Sequence, residues 1–144
     1  MKTSGFSVPE MMLTVSAIAI IAAIGIPVYE RLNVRNELEI AKISLAQSYR
    51  RAIVLAQAQV GDMAHGVYVA TGTITVFRGN SYATRDPSYD ETFTFPDNIT
   101  HSGLLEMVFA KFTGRATTTG TTTLTSLEGW TRSISVSSES VVSF

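Results

Sequence analysis

Residues 6–29 form an apolar run that carries one charged side chain, Glu10. About 20 apolar residues span a bilayer as a helix. A chain of 144 residues has room for one domain with a modest core, too little to surround such a helix on every side. The run therefore points to lipid or to other chains. Glu10 sits at its polar edge, where a carboxylate is costly and so marks a functional position. A removable secretory signal would show an apolar stretch of about 7–15 residues with a small-residue cleavage site behind it. Here the stretch is longer, Lys2 is the one cation ahead of it, and no Ala-x-Ala stands directly behind it. The leader 1–5 lies in front of the apolar run, so a cut after Gly5 would keep the helix.

One helix is expected from residue 6 to about residue 60. Its first half is apolar all round. Its second half is amphipathic, with Val34, Leu38, Ala41, Leu45, Tyr49, Ala52, Ala56 and Val60 spaced by three or four. At ~1.5 Å per residue the whole would be roughly 80 Å long. Pro9 falls in the first turn, where a missing N–H costs nothing. The same ring is expected to hold Val8 out of helical geometry and keep the Gly5-Phe6 junction extended. Gly25 and Pro27 are helix breakers near the far end of the apolar half, and they predict a kink or local melting.

Gly61-Asp62 is expected to end the helix. The composition then shifts to Thr, Ser, Val, Phe, Tyr and Gly. Strands are expected at 67–70, 73–78, 92–95, 99–102, 105–112, 121–127, 130–136 and 141–144. Thr71-Gly72, Arg78-Gly79-Asn80, Pro96-Asp97-Asn98, Gly114, Gly120 and Glu128-Gly129 separate them. Glu128-Gly129 reads as a tight hairpin. Residues 104–112 also suit a short helix, but Gly103 and Gly114 at the borders favour a strand. The fold class is α+β, a long N-terminal helix followed by an antiparallel β head.

The start Gly5-Phe6-Ser7-Val8-Pro9-Glu10, running into Met11-Met12-Leu13, resembles the processing site of type IV prepilins and type II secretion pseudopilins. The head adds His65-Gly66-Val67-Tyr68-Val69, Ile74-Thr75-Val76-Phe77-Arg78-Gly79, Phe112-Thr113-Gly114-Arg115-Ala116, Gly120-Thr121-Thr122-Thr123-Leu124 and Gly129-Trp130-Thr131-Arg132. That order of glycines and strands is similar to the H-type minor pseudopilins and FimT-like minor pilins (GspH/FimT). The resemblance implies a pilin-like fold, the stem helix packed on a two-sheet head. It implies four segments: a leader 1–5, a transmembrane and polymerisation helix 6–29, an amphipathic helix 30–60 packing on the head, and a β-rich head 61–144. A prepilin peptidase would cut after Gly5 and methylate the new amine of Phe6. Glu10 would then pair with the Phe6 amine of a neighbouring subunit, a charge-assisted contact in a low-dielectric setting that sets register. Gly25 and Pro27 match breakers that can lose helicity in major-pilin filaments. The implied partners are the peptidase, other pilin or pseudopilin subunits, and inner-membrane lipid before assembly. The head would face the periplasm or the cell exterior, and the subunit would end in a pilus or pseudopilus. Many pilins close a C-terminal loop with a disulfide; this chain has no cysteine. Some FimT-like pilins bind DNA through a Gly-Arg-x-Arg motif near the C-terminus; residues 137–144 contain no arginine.

Charge agrees with a non-nucleic-acid role. Residues 30–60 hold five cations (Arg31, Arg35, Lys42, Arg50, Arg51) against three anions (Glu30, Glu37, Glu39). Residues 61–144 hold five cations against eight anions, and no basic patch stands out. No catalytic residue and no cofactor are expected. His65 and His101 lack metal-ligand spacing and suit surface or sheet positions, and no Gly-x-Ser-x-Gly occurs. Asp86, Asp90 and Glu91 form a loop cluster. It is a weak candidate for Ca²⁺, which takes oxygen ligands, and a solvated loop is favoured. Trp130, Tyr82 and Tyr89 suit an adhesive patch or, preferably, sheet-core packing. The run Thr117 to Thr123 and the sequon Asn98-Ile99-Thr100 suit an exposed strand or loop. Two rivals to a filament subunit remain at this point: a pilin head that captures DNA or a surface, and a single-pass anchor carrying an independent β domain.

Overall fold

The computed structural model describes residue 5 and residues 7–144, without the side chain of Pro27. Contacts divide the chain into two compact units, 1–35 and 36–144. One helix, α1, runs Val8–Gln57. Burial along it begins at Leu38. Leu38, Ala41, Leu45, Tyr49, Ala52 and Ala56 are all buried, the stripe that a spacing of three and four puts on one helix face. Val34 is half-buried and Val60 exposed, so the stripe is two members shorter than the sequence pattern.

Eight strands follow: β1 His65–Ala70, β2 Thr73–Arg78, β3 Glu91–Thr94, β4 Ile99–Gly103, β5 Glu106–Phe109, β6 Gly120–Ser126, β7 Thr131–Val136 and β8 Val142–Ser143. They form two antiparallel four-stranded sheets, ordered β3-β2-β1-β5 and β4-β6-β7-β8. In β6, Thr122, Leu124 and Ser126 are buried while their neighbours are not, the period-two signature of a sheet with one face on a core. Strand β2 differs, with Ile74, Thr75, Val76 and Phe77 all buried. Ile74 and Val76 join the main cluster, which combines the α1 stripe with residues of both sheets. Phe77 joins Ala64 and Val108 in a second, smaller cluster flanked by Tyr68 and Tyr82. A loop between β2 and β3 thus covers the outer face of the first sheet: Tyr82 stacks on Tyr68 at 3.9 Å and meets Phe77 edge-on at 5.6 Å.

Polar ties join α1 to each sheet. Arg132 of β7 donates through Nε to Glu39 at 3.0 Å. Arg51 reaches Glu91 of β3 with two hydrogen bonds, 3.2 and 2.9 Å. Asn98, just before β4, donates to Glu37 at 3.0 Å. Inside the core the Thr122 hydroxyl donates to the Leu104 carbonyl at 2.7 Å. It then accepts from the Tyr49 hydroxyl at 3.0 Å, both side chains being buried. Burial raises the Tyr49 phenol pKa, and the Thr122 contact opposes that rise.

Four local expectations change. Val8 is the first helical residue, so Pro9 does not hold it extended. The helix stops at Gln57 rather than near residue 60: Gln59 takes the left-handed region at φ 55, and a 3-10 turn, Val60–Asp62, follows. Strand β5 stops at Phe109, well short of residue 112. Phe112 turns left-handed at φ 71, and its N–H goes to the Ala56 carbonyl at 3.1 Å, a helix-end carbonyl that also accepts from Gln59 N–H at 3.3 Å. The β6–β7 hairpin closes with Gly129 N–H on Ser126 O at 2.9 Å and Ser126 N–H on Trp130 O at 2.8 Å. Its loop therefore has three residues, with Gly129 at φ 83 in the left-handed position such loops require.

Thr122→Val should lower stability by about 1–3 kcal/mol, because it strands the Tyr49 hydroxyl and the Leu104 carbonyl in the core. Thermal unfolding of the detergent-solubilised chain followed by circular dichroism checks this. An unchanged midpoint would contradict it.

Candidate functional site: the apolar helix and its glutamate

Every described side chain from residue 7 to residue 33 is exposed. Met12, Leu13, Ile18, Ile21 and Ile24 are each more than 60% accessible. This part of α1 is long and apolar enough to cross a membrane, and none of its most apolar window is buried. Isolated apolar side chains on a surface are ordinary, but a continuous apolar surface of this length marks a contact with lipid or protein.

Glu10 stands in the first turn. Its Oε2 accepts from the Ser7 backbone N–H and from the Ser7 hydroxyl, both at 3.3 Å. The Ser7 carbonyl accepts the first helical hydrogen bond from Met11 N–H at 3.1 Å. Ser7 is therefore the N-cap, with Pro9 and Glu10 at the second and third helical positions, and the carboxylate closes half of a capping box. This explains why Val8 is helical despite Pro9: the cap fixes the first turn. The Ser-x-x-Glu spacing is itself a sequence signal for such a cap. Gly5 is described as exposed, with open space around it. Phe6 lies outside the described residues. Gly25 and Pro27 lie within the helical run, which continues through both. Having no N–H, a proline at position 27 gives the Ala23 carbonyl no helical donor, a loss that membrane helices tolerate.

The head residues singled out from the sequence are dispersed. Asp86, Asp90 and Glu91 do not converge: Asp86 caps Ser88 N–H at 3.0 Å and lies 3.9 Å from Arg78, Asp90 pairs with Arg85 at 2.8 Å, and Glu91 pairs with Arg51. Among the described residues no three acidic or histidine side chains are grouped to hold a metal. His65 is buried on β1 and His101 half-buried on β4. Tyr89 is 55% and Trp130 45% accessible, so neither packs in a sheet core. Tyr89 sits in a 3-10 turn and Trp130 at the hairpin end, outside the strand alternation. Thr117 bonds its hydroxyl to the Val108 carbonyl, and Thr121 to Thr123 lie in β6. Of the head cations, Arg115 pairs with Glu139 and Arg132 with Glu39.

No protein-family model matches this chain, and no curated protein matches it. Among solved structures it is similar to the minor pseudopilin EpsH from the type 2 secretion system of Vibrio cholerae. The likeness covers 74% of this chain and 94% of that one, at 11% identity and a TM-score of 0.55. At that identity what the two share is the fold. The expected α+β pilin-like fold, a long N-terminal helix with two antiparallel sheets, is the one found.

Hydrogen bonds from Lys42 and Arg132 lower the Glu39 pKa, and that from Arg51 lowers the Glu91 pKa. The Ser88 contacts lower that of Asp86, and burial lowers that of His65. Each folded value is depressed, so each contribution is present at neutral pH and lost on acidification. Loss begins below the ordinary histidine value of 6.5 and deepens below the ordinary glutamate value of 4.5. The unfolding midpoint should fall steadily between about pH 7 and about pH 4. A flat or rising profile would contradict this.

Proposed function

We propose that this chain is a minor pilin or pseudopilin, a structural subunit of a type II secretion pseudopilus or a type IV pilus. The observation that carries this reading is the wholly exposed apolar helix of residues 7–33, joined to a unit whose core is complete without it. The shared fold with a minor pseudopilin supports it. In this reading the helix 6–29 first anchors the chain in the inner membrane, with the head in the periplasm or outside the cell. A prepilin peptidase cuts after Gly5 and methylates Phe6, and the helix then moves from lipid into contact with other subunits.

Glu10 has two successive partners in this scheme. In the single chain its carboxylate is held by Ser7. In the fibre the Phe6 amine of a neighbour offers a full positive charge, a stronger partner in a dry setting than a neutral N–H or hydroxyl. The capping contacts keep the carboxylate near the helix start, so little reorganisation is needed when the neighbour docks. The subunit needs no catalytic group of its own for this role.

Gly5→Ala should leave a precursor that retains Met1 by mass spectrometry. Glu10→Leu should leave the chain processed and membrane-bound but absent from fibres seen by negative-stain microscopy. Normal cleavage of the first variant, or normal incorporation of the second, would refute the assignment.

A further inference from the structure

The tip of the β6–β7 hairpin carries two large apolar side chains that the head does not cover. Leu127 is 81% accessible, more than any other large apolar side chain described, and Trp130 is 45% accessible. Residues 127–130 are all exposed, and an added Cβ on Gly129 would meet nothing within 4 Å. The tip therefore projects from the head. Its backbone is closed on itself: besides the two bonds that shut the loop, Trp130 N–H donates to the Ser126 hydroxyl at 3.2 Å. Backbone donors already paired lower the cost of entering a drier layer.

The hairpin is tied to the first turn of α1 within the unit 36–144. Arg132, just past the tip, donates to Glu39 at 3.0 Å. Ser126, just before it, lies opposite Ile99, whose neighbour Asn98 donates to Glu37 at 3.0 Å. About ten residues separate Glu39 from Tyr29, where the apolar run ends, roughly 15 Å of helix. From Arg132 back to the apex at Glu128 the chain reaches ~13 Å, at ~3.3 Å per residue. These lengths allow the tip to reach the surface of a bilayer from which the apolar run emerges.

We propose that Leu127 and Trp130 seat in the phospholipid headgroup layer of the membrane, steadying the head there before assembly. The inference rests on the reading of residues 6–29 as a membrane anchor. Tryptophan favours this layer because its ring is apolar and its indole N–H is polar. Leucine adds apolar area for lipid to cover. Glu128, at the apex, stays in headgroup water. The layer is about 5–7 Å deep on each side of the hydrocarbon, the scale of a hairpin tip. A stable protein contact buries about 1,200 Å² or more in total. A convex tip with two apolar side chains offers far less, whereas fluid lipid moulds to it.

Trp130 is the one tryptophan of the chain, so its fluorescence reports on the tip alone. The full chain is reconstituted into phosphatidylcholine vesicles that carry bromine either near the headgroups or deep in the acyl chains. Flotation checks that the chain is bound. Strong quenching by the shallow label, well above that by the deep label, is expected. Leu127→Ser, at an exposed position outside the core, should cut the shallow quenching by about half or more, because one apolar side chain leaves the layer. No quenching in chain that floats with the vesicles overturns the inference and leaves the anchor reading standing. Equal quenching by the two labels overturns it too, as does unchanged quenching in a folded Leu127→Ser chain. Chain that fails to float overturns the anchor reading, and this inference with it.

Discussion

Apolar surface that a chain cannot cover by itself must be covered by something else, because each exposed methylene costs about 0.8 kcal/mol relative to burial. Here that constraint falls on one element. Helix α1 is one helix from Val8 to Gln57, yet its side chains meet two environments. Before residue 34 nothing described is buried; from Leu38 to Ala56 one face is buried without a gap in its three-four spacing. The unit 36–144 has a hydrophobic core of its own. The remaining apolar surface is left for lipid or for other protein chains, and the functional reading starts from that remainder.

The polar chemistry follows the same division. In the head, charges are paired across elements far apart in sequence: Arg51 with Glu91, Arg132 with Glu39, Arg115 with Glu139. The buried hydroxyls of Tyr49 and Thr122 share one continuous path to the Leu104 carbonyl. Such surface pairs contribute little each, and their use is to fix which face of α1 meets which sheet. At the helix start the one carboxylate of the apolar segment has, among the described residues, the amide and hydroxyl of Ser7 as its partners. A charge held only by neutral groups gains from exchanging them for a cation, the step on which the proposed assembly turns.

Much of this was legible in the sequence because the signals are local. β-branched runs bounded by glycine marked eight strands, and every one of them is present, with ends shifted by a residue or two except in β5, which ends three residues early. The stripe from Leu38 to Ala56 was legible from its spacing. What escaped depends on non-local partners. Strand β5 ends early because the Phe112 amide is drawn to the Ala56 carbonyl on α1, far upstream in the sequence, beside a Gln57–Thr113 contact that spans 56 positions. Asp86, Asp90 and Glu91 are adjacent in sequence but answer to Arg78, Arg85 and Arg51, so the cluster disperses. Tyr89 and Trp130 looked like core aromatics by residue type, yet turns carry them to the surface. The placing of His65 opposite Arg78 had no sequence signal, since the β1–β2 register creates it.

The central claim is that the exposed apolar helix is covered by other protein chains once the subunit has assembled. A photo-reactive amino acid at Ile18, 66% accessible in the single chain, tests it directly in producing cells. The account predicts covalent capture of the N-terminal helix of another subunit, identified by peptide mass spectrometry. Capture of lipid alone, in cells that are building fibres, would contradict it.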